Sequence, residues 1–140
     1  MTAIQDVPDT LPPGVAGLRA VLSKFPGLSL ALVFGSVAKR RARADSDLDV
    51  AVLGPAPLDS STKMALMAAL AGSTGRAVDL VDLATVPEPL LGEIVRTGYR
   101  LLGSDEAFAR LLSRHLVEQA DFMPYQMRVL EERCQSWTGR

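Results

Sequence analysis

Gly35-Ser36-Val37-Ala38-Lys39-Arg40-Arg41-Ala42-Arg43-Ala44-Asp45-Ser46-Asp47-Leu48-Asp49 joins two apolar runs, residues 28–34 and 48–53. A Gly-Ser pair therefore stands where one strand ends, and two carboxylates stand in the opening residues of the next. Strand interiors are depleted in Asp, and a buried carboxylate is costly unless it is paired or bound to a metal. The pattern points to a phosphate loop joined to a metal-binding carboxylate pair.

Asp47 and Asp49 are two residues apart, so on a strand both side chains leave the same face, their Cα atoms about 6.5 Å apart. Carboxylates converging at that separation can share divalent ions, as in two-metal phosphoryl-transfer sites. Oxygen-only ligands suit magnesium, which keeps waters and completes its shell with phosphates. Gly35 lets the backbone approach a phosphate, and the Ser36 hydroxyl and nearby N–H groups can donate to its oxygens. A short helix over 36–42 adds a favourable partial positive charge. Lys39, Arg40, Arg41 and Arg43 can neutralise a triphosphate. Asp79, in the middle of the apolar run 77–83, is the candidate third carboxylate. Asp82 ranks second, because it falls on the opposite face of a regular strand. A Gly-Ser turn alone, or Asp-x-Asp alone, says little. Their combination with an Asp inside a third apolar strand is specific.

Outward from this stretch, helical spacing covers 13–25, a stretch from 60 that stops near Gly72 or Gly75, 87–96 and 104–137. Strands are expected over 28–34, 47–53 and 77–83, with a short one at 99–102. Pro124 should interrupt the last helix. The order describes an α/β or α+β domain, a small sheet flanked by helices with a C-terminal helical extension. Residues 1–13, rich in Pro, Asp and Thr, read as a loose tail, 14–103 as the core and 104–140 as the extension. His115 shares a stripe with Phe108, Leu111 and Leu112 and reads as a packing residue. Tyr99 or Arg100, at the last strand, could touch a nucleotide.

The 140 residues carry a net charge of −1, which speaks against direct nucleic-acid binding. Cys134 is the single cysteine, so neither an intrachain disulfide nor a Cys-based zinc site is available. No apolar run approaches the ~20 residues needed to span a bilayer. No signal-peptide pattern opens the sequence, and a cytoplasmic location is expected.

Gly35-Ser36, ten intervening residues and Ser46-Asp47-Leu48-Asp49 resemble the signature of the nucleotidyltransferase fold. The chain looks most like its smallest members, the minimal nucleotidyltransferases (MNT), over roughly residues 14–102. The resemblance implies that Asp47 and Asp49 bind the catalytic metals, two Mg2+ ions, and that Asp79 completes the triad. It assigns Gly35 and Ser36 to the nucleotide phosphates, with Lys39 and Arg40 beside them. Arg40 stands where the family often has Gly. MNT proteins are often encoded beside HEPN ribonucleases. The resemblance thus implies an antitoxin that transfers AMP from ATP to a tyrosine hydroxyl of a HEPN toxin and so neutralises it. Two other readings are a non-catalytic antitoxin acting by binding and a small-molecule transferase of the aminoglycoside type. Phe122, Met123, Met127, Leu130 and Trp137 give the C-terminal helices large apolar groups of the kind enriched at interfaces, and the HEPN partner is expected there.

Overall fold

The structure, a computed structural model, describes residues 17–35 and 47–120, and the backbone alone of residues 5 and 6. Ser36, Lys39 and Arg40, the short helix expected over 36–42, and the docking residues Phe122, Met123, Met127, Leu130 and Trp137 lie outside the described residues. The elements in chain order are β1 (Gln5–Asp6), α1 (Leu18–Leu22), β2 (Leu30–Phe34), β3 (Leu48–Leu53), α2 (Ser60–Thr74), β4 (Val78–Asp82), α3 (Leu90–Thr97) and β5 (Tyr99–Gly103). A further helix, α4, covers residues 105–120.

The strands form one sheet in the order β1-β5-β2-β3-β4. β2 runs antiparallel to both β3 and β5, whereas β3 and β4 are parallel, as are β1 and β5. Gln5 and Asp6 fall inside the segment expected to be a loose tail, yet they pair with Tyr99 and Arg100 at the sheet edge. Two residues carry no period-2 pattern, so this edge strand left no mark on the sequence.

Alternation along the strands divides the core in two. Ala31, Val33, Leu48, Val50 and Val52 pack with α1 and α2 on one face. Leu30, Leu32, Phe34 and Ala51 pack with α3 and α4 on the other. Both faces are covered, which is why the strands read as continuous apolar runs. Leu66 and Leu70 anchor α2 and are fully buried; each such burial contributes about 1.5–3 kcal/mol.

Local signals set the helix ends. Asp59 caps α2 by accepting the Thr62 N–H at 2.7 Å, and Gly75 ends it in the left-handed conformation at φ 68°. Ser104 accepts the Ala107 N–H at 3.1 Å and starts α4. Gly98 follows α3 in an extended conformation, so its role is spatial. A Cβ there would lie 2.6 Å from the Ile94 carbonyl oxygen.

Candidate active site

The face assignment places the carboxylates. Asp49 alternates with Ala51 along β3, so it stands on the face covered by α3 and α4. Asp79 alternates with Val81 along β4 and stands on the same face. The parallel register sets Asp49 directly beside Asp79. Asp47 immediately precedes β3, one residue from Leu48, and is exposed. The sheet thus brings Asp49 and Asp79 side by side, with Asp47 at the strand entrance.

Gly35 closes the other side. Phe34, the last residue of β2, pairs with Asp49 across the antiparallel ladder. Gly35 follows at φ 74°, a backbone that favours glycine. A Cβ on it would lie 2.1 Å from Asp49 Oδ2 and 3.0 Å from its Cγ. The glycine therefore makes room first for the Asp49 side chain, a reason the sequence did not disclose.

Asp49 is half-buried, and its carboxyl is held above its ordinary pKa. Burial is the largest cause, followed by the negative charges of Asp79, Asp47 and Glu93. Glu93, on α3, was not singled out in the sequence. Its signal was weak: it lies one position off the stripe of Leu90, Leu91, Ile94 and Val95.

Asp82 does different work. It is 6% exposed and accepts N–H bonds from Leu58 at 2.8 Å and Ala84 at 2.9 Å. Its side chain ties the approach to α2 onto the end of β4, away from Asp49. Tyr99 packs against the α1–α2 cluster, on the face away from the carboxylates. Arg100 pairs with Asp105 at 2.8 Å. His115 is 8% exposed and meets Glu88 through Nδ1, the packing role expected of it. A cavity of about 330 Å³ opens between residues 25–28 and 54–62. It lies at the far end of β3, and none of Asp47, Asp49 or Asp79 lines it.

Among the described residues no three His, Cys, Asp or Glu side chains form a closed metal cage. Magnesium does not require one, because one or two carboxylates plus phosphates and water complete its shell. The donor set fits that ion: all-oxygen, partly exposed, and mutually repulsive enough to disfavour ionisation of Asp49. A bound cation would relieve that repulsion.

A strand ending in glycine thus lies against a strand entered by Asp-x-Asp, with a third Asp in register on the neighbouring strand. Residues 17–107 match the family described as Polymerase beta, Nucleotidyltransferase, and the chain belongs to that family, in its minimal (MNT) branch. Within it, the protein adenylyltransferase MntA of Shewanella oneidensis is 34% identical over 95 residues, which are 66% of this chain and 68% of the relative. A structure of the tri-AMPylated Shewanella oneidensis HEPN toxin in complex with MNT antitoxin matches with a TM-score of 0.62 and 30% identity, covering 84% of this chain and 96% of that one. A toxin–antitoxin structure with AMP-PNP matches with a TM-score of 0.63 and 27% identity, covering 80% of this chain and 98% of that one. The chain is a nucleotidyltransferase. No described helix is long and apolar enough to cross a membrane.

Proposed function

We propose that this nucleotidyltransferase is an antitoxin that transfers AMP from ATP to a tyrosine hydroxyl of a HEPN-type toxin. The observation that carries the reading is the in-register pair Asp49–Asp79, with Gly35 shaped around Asp49. The relatives supply the acceptor class: one is named a protein adenylyltransferase, and another is an MNT antitoxin solved with its AMPylated HEPN toxin.

Asp47, Asp49 and Asp79 would hold Mg2+, which when bound neutralises charge on the triphosphate and lowers the cost of ionising the acceptor hydroxyl. Ser36, Lys39 and Arg40 would receive the phosphates. The hydroxyl oxygen attacks the α-phosphorus, the bond to the bridging oxygen breaks, and pyrophosphate leaves. The hydroxyl proton passes to Asp79 or to solvent. Asp79 is the more exposed of the paired carboxylates and so the more accessible to an incoming acceptor. The toxin itself supplies the second wall of the cleft, docking on the C-terminal segment that carries Phe122, Met123, Met127, Leu130 and Trp137. The site works in the cytoplasm, where ATP and magnesium are abundant.

Incubating the chain with labelled ATP, Mg2+ and a HEPN toxin from the same genome should put label on the toxin. An unlabelled toxin, with both proteins folded and several nucleotides tried, overturns the reading.

A further inference from the structure

We propose that the last turns of α4, with Leu116 and Val117 outermost, are a docking surface for the HEPN-type toxin. The inference rests on the toxin reading above and carries the docking surface into the described part of the fold.

Exposure singles out this surface. Leu116 is 55% exposed and Val117 60%, side by side on one helix. The first half of α4 has the outer face of a solvated helix: Asp105, Glu106 and Arg110 are exposed, and Arg110 pairs with Glu106 at 2.6 Å. The second half does not. Ser113, Leu116, Val117, Gln119 and Ala120 are exposed there without a charge among them, and Glu118 turns to Arg114 at 3.4 Å. Contiguous exposed apolar groups rimmed by polar ones mark interaction sites.

Topology says which partner fits. Strand β5 ends with Gly103 opposite Leu30, and α4 follows from there. Its Leu111 joins the cluster of Leu30, Leu32 and Ala51. Arg114 then donates to the carbonyls of Leu83 and Val86, just past the end of β4, and His115 meets Glu88 through Nδ1. Helix α4 therefore crosses the face that carries Asp49 and Asp79, from β5 to the edge strand β4, and is fastened where it arrives. Asp79 lies four residues back from Leu83, about 13 Å at strand spacing. A protein interface spans roughly 20–30 residues on each side. A protein whose hydroxyl reaches Asp79 thus has the last turns of α4 within its footprint. Met64 and Met67, the other exposed large apolar side chains among the described residues, lie on α2, across the sheet from the carboxylates.

The sequence continues the surface. Ala120, Met123, Met127 and Leu130 follow Leu116 at intervals of four and three. The apolar spacing that leads into the toxin-docking segment therefore begins at Leu116.

Calorimetric titration of the purified full-length chain with the HEPN toxin of the same genome, without ATP, tests the surface. Leu116→Glu combined with Val117→Glu should weaken binding about 10-fold or more, because the contact would bury carboxylates without partners. In the transfer assay the same variant should raise KM for the toxin and leave kcat at saturating toxin unchanged. Ala109→Glu, on the charged half of α4, should change neither. Thermal unfolding and light scattering of the chain alone identify the occupant. A double variant with the melting temperature and mass of the parent leaves the surface to the toxin. A parent dimer that the variant dissociates, or a clearly lowered melting temperature, gives it to a second copy or to the chain itself and overturns the proposal. If the double variant binds the toxin as tightly as the parent, the surface is overturned and the transferase reading stands. If the parent neither binds nor labels the toxin, both are overturned.

Discussion

Gly35 and Asp49 occupy adjoining space so closely that a methyl group on the first would sit 2.1 Å from Oδ2 of the second. The two residues end one strand and begin the next, and they touch because β2 and β3 are antiparallel neighbours with Phe34 opposite Asp49. A loop glycine and a strand carboxylate, separated by a basic connection in the sequence, are one structural unit.

Gly35→Ala should therefore displace the Asp49 carboxylate. The left-handed backbone adds a strain of about 1–2 kcal/mol, and misplacing a reacting group by about 1 Å costs on the order of 10²-fold in rate. Steady-state transfer assays and thermal melts check both parts. A variant as active as the parent contradicts the contact.

Asp79 and Asp82 should separate cleanly, although they are three residues apart on one strand. Asp82→Ala strips the acceptor from the Leu58 and Ala84 N–H groups and should cost about 1–3 kcal/mol of stability. The folded fraction should keep its specific activity. Asp79→Asn should do the reverse, abolishing transfer while leaving the denaturation midpoint essentially unchanged. Urea unfolding curves alongside activity distinguish them.

Two pH effects of opposite sign are expected. The Asp49 carboxyl is raised by burial and by its acidic neighbours, so its ionisation opposes folding. The stability that it contributes is present below the ordinary carboxylate range and is lost as pH rises through the folded-state value. Asp49→Asn should accordingly be more stable than the parent at neutral pH in metal-free buffer. That advantage should shrink to nothing in acid, where the parent residue is protonated in both states. Asp59 is lowered by its bonds to Thr62, so its stabilisation of α2 is present above the ordinary range and fades as pH falls. Asp59→Asn should reduce that acid-side loss. Melting temperatures across the carboxylate range read both.

Gly92→Ala should loosen the contact between α3 and α4. The added carbon would meet His115 Cε1 at 2.8 Å and Glu88 Oε2 at 3.0 Å. Overpacking of this kind typically costs about 1–3 kcal/mol. Calorimetry gives the value, and an unchanged transition contradicts the packing.

Much of this site was legible because its residues violate strand preferences. Asp inside apolar runs at 49 and 79 has no comfortable structural explanation, and the structure pairs those two side by side. The period-2 rule also put Asp79 and Asp82 on opposite faces, as they are found, and the second satisfies backbone N–H groups. Strand order was not legible, because β5 sits between β1 and β2 through pairings that local sequence does not encode. Neither was the influence of Glu93 on Asp49, since a charge acting from a helix on a strand leaves no local pattern. Gly98 shows the same limit: it follows α3 in an extended conformation where a Cβ would strike the Ile94 carbonyl oxygen, a close approach that no local pattern encodes.

The most direct measurement is the intact mass of a HEPN toxin after incubation with ATP, Mg2+ and the chain, comparing the parent with Asp47→Asn and Asp49→Asn. The predicted result is a toxin heavier by one or more AMP groups with the parent and unmodified with either variant. A toxin modified equally by the parent and by both variants would contradict the central claim, that the carboxylates flanking the Gly35 turn carry the transfer.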